Sequence, residues 1–346
     1  MTSSTSPSTP SSAPSSRLPS RRSLLLGGMG AALGLALPLG GKARAATAPP
    51  VLVGDQKARK VLLLDSAKTT WDPANDPSVV QWSFTPDGDS RYADLQPTSS
   101  FTYVSEVKAR TSGGSTLVLV TASYGFAAVV EYPTGKRRWA GLVAGGGPGD
   151  DLNPHSIELL PDGNVAVACS SGNAVRVYAA SQGPTATDYF TTPLTTAHGV
   201  HWDSGANVLW AVGGSKLAAY TLAGTPAQPV LTEKTSASVD LPTSDGHDVG
   251  AVTGSSDLLW VSTGSALYQY SKSARTFTPY GGTACGRGPW GGVKAVSNFG
   301  GTVLFTKPDG DLSPNWLSRY VRDASGAAAP YALADGGVYK ARWWQP

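Results

Sequence analysis

The sequence predicts an all-β fold, a six-bladed β-propeller whose closing blade is shared between the N- and C-terminal strands. Three observations predict it: a composition suited to short strands and tight turns, an internal repeat of 42 to 50 residues, and strands left over at both chain ends. The 346 residues include 41 Gly, 26 Pro, 10 Trp and 13 Tyr, and only 15% are charged. Gly and Pro punctuate turns, while aromatic and β-branched side chains suit a pleated, half-buried surface. Many short strands are therefore expected, and long solvated helices are not.

The repeat carries most of the argument. One alternating strand per unit reads Leu117-Val-Leu-Val, Val165-Ala-Val-Ala, Val208-Leu-Trp-Ala, Leu258-Leu-Trp-Val and Val303-Leu-Phe-Thr. A small-residue turn follows, then a second strand with an aromatic at one matching place: Tyr132, Tyr178, Tyr220, Tyr270 and Tyr320. These aromatics are expected to pack between neighbouring blades. Ahead of each pair lies another matching strand, starting at Glu106-Val-Lys108, Pro154-His155, Ala197-His198, Gly246-His247, Val293-Lys294 and Tyr339-Lys340. The intervals between its Lys and His positions are 47, 43, 49, 47 and 46 residues.

Six copies of that strand but only five complete units leave one blade split. Val61-Leu-Leu-Leu is read as its second strand, Val80-Gln-Trp82 supplies the sixth aromatic, and the C-terminal strand Val338 to Trp344 joins them. A period of 40 to 50 residues with about four strands per unit is the propeller signature. Helical repeats of this length would show apolar residues at i, i+3 and i+4, which these units lack.

The chain divides at residue 45. The first residues are rich in Ser, Thr and Pro and read as disordered. Arg21-Arg22 then precedes an apolar stretch from Leu24 to Leu39, loosened by Gly27, Gly28, Gly30 and Gly34 and closed by Ala43-Arg44-Ala45. Paired Arg, a mildly apolar stretch and a small-x-small end describe a twin-arginine export signal. Residues 1–45 are thus expected to be removed, leaving 46–346 as a single propeller domain outside the cytoplasm. Five of the 27 basic residues and none of the 24 acidic ones fall in the leader, so the mature chain carries 22 basic and 24 acidic side chains. That net charge of −2 excludes bulk electrostatic binding to nucleic acid. No later segment is long and apolar enough to span a bilayer. A monomer is expected. The two cysteines, Cys169 and Cys285, fall on opposite blades and make no disulfide framework.

In a propeller the innermost strands line a central channel, and loops at its mouth carry function. The aligned residues Lys108, His155, His198, His247, Lys294 and Lys340 are expected to form a ring there, with a chargeable group in six of six copies. Three of the four histidines occupy this position. Three chemistries suit such a ring. It binds an anion through ammonium and imidazole donors. Or His155, His198 and His247 hold a divalent metal, Mn²⁺, Ca²⁺ or Zn²⁺, with Asp150, Asp151, Asp245 or Asp248 offsetting the lysines. Or crowding lowers the pKa of a Lys or His until it serves as a base. Abstracting a proton beside a carboxylate needs a base and a cation together, which is what β-elimination of a uronate demands.

Further candidates surround the ring. Arg287 and Trp290 offer a fork for a carboxylate and a platform for a sugar ring. Asn153 is placed to orient His155, while Trp71, Tyr124 and Trp316 lie in loops that reach the rim. His201, three residues after His198, is expected on the opposite face of its strand, packed. No nucleophile elbow, P-loop, dinucleotide fingerprint or HExxH is present.

The export signal, Pro-His-Ser-Ile-Glu-Leu-Leu-Pro-Asp-Gly-Asn at 154–164, the blade-start His and Lys residues, and Val-Tyr-Lys-Ala-Arg-Trp-Trp at 338–344 together resemble a family of secreted actinobacterial propellers of unknown function. The resemblance covers nearly all of the mature chain and implies the fold. The histidine cluster also resembles that of propeller-fold polysaccharide lyases, including oligogalacturonate lyases. The expected catalytic set is His155, His198, His247 and Lys294, with Lys108, Lys340, Arg287, Trp290 and Asn153 binding an anionic saccharide. The alternatives are a non-catalytic binding or scaffold propeller for a cell-wall polymer or protein, and a lactonase-like metal hydrolase, which would want channel carboxylates that this ring lacks.

Overall fold

The computed structural model describes residues 48–143, 152–281, 290–324 and 330–346. Residues 1–47, and with them the export signal, lie outside the described residues, as do Asp150, Asp151, Cys285 and Arg287. The described chain forms six sheets, the six blades, antiparallel but for one short pair in blade 5. Each of blades 1 to 5 runs outward in chain order from its innermost strand. The innermost strands of these five are Val104–Ser112, Pro154–Leu159, Ala197–Asp203, Asp248–Ala251 and Ala295–Phe299. Blade 3 adds a short pair through Val239–Asp240, and blade 5 adds Thr70–Trp71, which runs parallel to Tyr331–Leu333.

Blade 6 closes the ring. Its innermost strand is the C-terminal Val338–Trp343, followed outward by Val51–Asp55, Lys60–Leu64 and Val80–Phe84. The split blade is present, but one strand was misplaced from sequence: Val51–Asp55 is the second strand, and the Val61 strand is the third. The turn between them explains the miss. Asp55 Oδ1 accepts from the backbone N–H groups of Lys57 and Ala58, at 3.0 and 3.1 Å, and Arg59 adopts φ 53°. The chain so reverses without the Gly or Pro that usually announces a hairpin.

Strand alternation fixes which residues face the core. Val107, Ile157, Val200, Val249, Val296 and Ala341 point between the blades and are buried. They pack with the alternating residues of the second strands into six clusters, one at each blade junction. Most of the matched aromatics extend these junctions: Trp139 packs on Tyr178 at 5.1 Å, Trp210 edge-on to Tyr270 at 5.8 Å, and Tyr132 on Trp344 at 4.9 Å, whereas Tyr320 joins no cluster and carries Arg322 over its ring at 5.2 Å.

Burying Val338 and Trp343 contributes about 1.5–3 kcal/mol each, against a domain stability of roughly 5–15 kcal/mol. Ending the chain at Gly337 also removes the innermost ladder of blade 6. The expected outcome is loss of the cooperative thermal transition in near-UV circular dichroism. A truncated protein melting within a few degrees of the full chain would refute the closure argument.

Candidate functional site

A β-bulge at the start of the innermost strands sets the geometry of the channel. In blade 1, Val104 pairs with Ala122 and Glu106 with Thr121, leaving Ser105 as the extra residue. The same offset leaves His155 extra in blade 2 and His198 in blade 3. In blades 4 and 5, His247 and Lys294 immediately precede the paired residues Asp248 and Ala295. In blade 6, Val338 pairs with Asp55 and Ala341 with Val53, so that two residues, Tyr339 and Lys340, oppose Gly54. A bulge resets alternation, and everything after it changes face.

The structurally equivalent rim is therefore Ser105, His155, His198, His247, Lys294 and Tyr339. It is not the six-cation ring expected from sequence: Lys108 lies three residues too far along its strand and Lys340 one too far. Below the rim, the next inward-facing positions are Glu106, Ser156, Gly199, Asp248, Ala295 and Lys340. The layer after that is Lys108, Glu158, His201, Gly250, Ser297 and Arg342. His201 thus faces the channel, contrary to simple alternation, because the bulge at His198 intervenes.

The two lower layers form a buried ionic plug. Arg342 donates to both oxygens of Asp248 at 2.7 and 3.0 Å, and through Nε and Nη2 to Glu106 Oε1 at 3.2 and 3.0 Å. Lys340 Nζ lies 3.2 Å from Glu106 and 3.6 Å from Asp248, and also donates to the His155 carbonyl at 3.1 Å. The Lys108 ammonium donates to Ser156 Oγ and to the carbonyls of Ile157 and Val200, at 2.9, 3.1 and 2.5 Å. Glu158 receives a two-pronged contact from Arg110 at 2.6 and 2.8 Å and lies 3.7 Å from His201 Nδ1. Lys108 and Lys340 are each only 2% exposed.

Burial opposes ionisation of Glu106, but Arg342, Lys340 and Lys108 outweigh it and hold its carboxyl well below the usual range. Glu158 is held low in the same way by Arg110 and Lys108. The channel therefore contains the carboxylates that the sequence-aligned ring lacked, and they neutralise lysines expected to be free.

The rim is different in kind. The His155 and His198 rings lie 4.5 Å apart, and those of His198 and His247 stack at 4.9 Å with 26° between planes. His198 Nδ1 donates to the Thr196 carbonyl and His247 Nδ1 to the Asp245 carbonyl, both at 2.7 Å. Each neutral ring so turns an unprotonated Nε2 the other way. Lys294 Nζ donates to His247 Nε2, and the Tyr339 hydroxyl meets His155 Nδ1 at 3.3 Å.

Burial and neighbouring positive charge keep all three imidazoles neutral, with His198 lowered to about 4 and His155 well below its ordinary value. Burial likewise lowers Lys294 to about 8, with Lys340 adding to the effect against Asp245. Burial raises the Tyr339 phenol, so it stays protonated. Among the described residues, no group of three His, Cys, Asp or Glu is placed to hold a metal ion.

Above the rim opens a cavity of about 400 Å³. Its ionisable floor is His155, Lys294 and Tyr339. Its wall is aromatic: Tyr103 meets Tyr124 edge-on at 5.5 Å and Trp316 at 5.7 Å. Trp316 is 40% exposed and is held by Nε1 donating to Gln56 Oε1 at 3.0 Å. Gln56 and Asn153 add amides to the lining, Ser123 and Ser171 hydroxyls.

Residues 56–345 match the family of unknown function DUF6528. The chain belongs to this family. A search of curated proteins finds no match. Among solved structures, a protein of unknown function from Bacteroides caccae is similar at 13% identity and TM-score 0.53, over 86% of this chain and 98% of that one. Virginiamycin B lyase from Staphylococcus aureus is similar more distantly, at 15% identity and TM-score 0.44, over 75% and 78% of the two chains. A catalytically inactive form of that lyase with quinupristin gives 15% and 0.45, over 78% and 79%. The likeness to the Bacteroides caccae protein shows the fold alone, and membership of DUF6528 assigns no reaction.

Other candidates on this DUF6528 propeller are placed as follows. Tyr124, Trp316 and Asn153 line the cavity. Trp290 does not: it is buried against Phe305 at 4.5 Å and Tyr280 at 5.7 Å, so it is core, not a platform. Trp71 is also buried, stacked on Tyr331 at 4.8 Å with Nε1 donating to the Asp65 carbonyl. Cys169 is fully buried, and burial pushes its thiol up to about 12, which makes it inert. Asp248 belongs to the plug, and Asp245 offers the rim its backbone carbonyl. Sequence reasoning missed Tyr103, Tyr339, Glu106 and Glu158. The charged pairs Glu106/Lys108 and Lys340/Arg342, two apart on otherwise apolar strands, were the signal for an inward ionic face.

Proposed function

We propose that the mouth cavity binds an anionic saccharide outside the cytoplasm and that its floor moves a proton on it, with β-elimination of a uronate glycan as the reaction. One observation supports this most. Lys294 is the channel lysine that, among the described residues, has no carboxylate within 4 Å, while Lys108 and Lys340 are both paired. A half-buried ammonium without a counter-ion is costly, and a ligand carboxylate relieves that cost. The aromatic wall suits the apolar faces of sugar rings, and the amides and hydroxyls suit their hydroxyl groups.

In this reading Lys294 neutralises the uronate carboxylate, which acidifies the hydrogen on the adjacent carbon. His155, donating Nδ1–H to the Tyr339 oxygen, presents an unprotonated Nε2 that takes this hydrogen. The electron pair forms the new C=C bond and the glycosidic C–O bond breaks. The Tyr339 O–H protonates the departing oxygen. General acid–base transfer of this kind is worth typically 10²–10⁴-fold each.

The test is absorbance of unsaturated product from a panel of uronate polysaccharides, run with and without Mn²⁺, Ca²⁺ or Zn²⁺. Activity is expected, falling at least 100-fold in His155→Ala. Saccharide binding without any product would establish instead the non-catalytic binding propeller. Neither binding nor product would remove the saccharide reading altogether.

A further inference from the structure

We propose that Lys294 is a nucleophilic amine that forms a Schiff base with the aldehyde of a small carbonyl compound entering the mouth cavity. Lys294 lines the cavity, and its Nζ sits on the unprotonated Nε2 of His247, whose Nδ1 is fixed by the Asp245 carbonyl. That nitrogen is a proton acceptor already aligned with the amine. No carboxylate among the described residues lies within 4 Å of Lys294, whereas Lys108 and Lys340 each have two, although burial lowers Lys108 to about 8 as well. Tyr339, its ring centroid 6.0 Å from Nζ, is a protonated phenol and provides no anion.

The other groups facing Lys294 act in the same direction or weakly. Lys340 from blade 6 disfavours a second positive charge, as burial does, while Asp245 from blade 4 opposes them from an exposed position. His155 and His198 are neutral. The amine is lowered to about 8, so an appreciable neutral fraction exists at mildly alkaline pH. A desolvated lysine beside another cation is the general recipe for an amine that attacks carbonyls.

The step balances with these groups. Lys294 loses a proton by way of His247 Nε2, and its lone pair forms the C–N bond while the carbonyl oxygen takes up a proton. The carbinolamine hydroxyl then takes the remaining N–H proton, relayed by His247, and its C–O bond breaks as water leaves and the C=N bond forms, so that amine plus aldehyde gives imine plus water. The acceptor class that fits the cavity is the open-chain aldehyde of a reducing sugar. That choice of ligand rests on the saccharide reading above, whereas the reactivity of the amine does not.

The experiment uses the full chain with glycolaldehyde and cyanoborohydride, which reduces an imine to a stable secondary amine, followed by peptide mass spectrometry at pH 6, 7.5 and 8.5. Lys294 is expected to be modified at least 10-fold faster than any exposed lysine at pH 7.5, with all rates falling at pH 6 and the lead shrinking at pH 8.5, where Lys294 is already largely neutral. His247→Gln, which keeps the lysine and a hydrogen-bond acceptor but removes the base, should cut that rate at least 10-fold with the other lysines unaffected. Uniform labelling, or Lys294 among the slowest, would overturn the proposal. Uronate binding at pH 6, measured separately by calorimetry, distinguishes the two ideas: binding without selective labelling sinks this one alone, and selective labelling without binding sinks the saccharide reading alone.

Discussion

Glu106→Ala is expected to destabilise the propeller by about 3–5 kcal/mol, the usual cost of stripping one partner from a buried ion pair. Glu106 is fully buried and touches Lys340, Arg342, Lys108 and Ser156. Its removal leaves those cations with Asp248 and Glu158 alone, in a largely buried channel. Domain stability is roughly 5–15 kcal/mol, so the variant should be near the edge of folding. Chemical denaturation measures the loss directly. Adding Lys340→Met to Glu106→Gln should recover part of it, since the second change removes a charge left without a partner. A Glu106→Ala protein within about 1 kcal/mol of the parent would mean that the plug is not what holds blades 1, 4 and 6 together.

The titratable groups of rim and plug together set the acid limit of stability. His155, His198, His201 and His247 are all lowered in the fold, so their contribution is present above their ordinary value of 6.5 and is lost as pH falls below it. Glu106 and Glu158 are lowered too, and their contribution fades below the ordinary carboxylate value of 4.5. Stability should therefore fall in two stages on acidification, the first belonging to the histidines.

The propeller was legible in the sequence because blade packing is a matter of period. Val107, Ile157, Val200, Val249 and Val296 recur with the repeat, and apolar periodicity survives small errors of alignment. The channel was not legible to the same degree, because a channel position depends on register to the single residue. Ser105 and Tyr339 share no chemistry with His155, and aligning on charge pulled Lys108 and Lys340 into a rim to which they do not belong. The bulges that cause the shift leave no clear residue signature. The rim members His155, His198, His247 and Lys294 were nonetheless found, since four consecutive blades carry them in true register. The loop aromatics Tyr124 and Trp316 were found by their place after second strands; Trp71 follows the Val61 strand, which is the third of blade 6, so its loop leaves from the other end of the sheet and pairs through Leu333 into the edge of blade 5.

The separation of plug from rim makes Lys294→Met the variant that distinguishes function from stability. Met keeps the length and apolar body of lysine and removes the charge. Because Lys294 is lowered by burial with no carboxylate partner, its ammonium is a burden on the fold at neutral pH, and the variant should gain on the order of 1–2 kcal/mol. Affinity for an anionic saccharide should fall by about 30- to 1,000-fold, the cost of losing about 2–4 kcal/mol of a charged contact in a partly dry site. In the parent, binding should weaken as pH rises through about 8, where the ammonium is lost, and the weak binding of Lys294→Met should not change across that range. Calorimetric titration between pH 6.5 and 9.5, with a thermal melt of each protein, reads all three effects. A stabilised protein that binds poorly identifies Lys294 as held in the rim for a ligand at the expense of the fold. A destabilised one places it with Lys108 and Lys340, as one more structural cation.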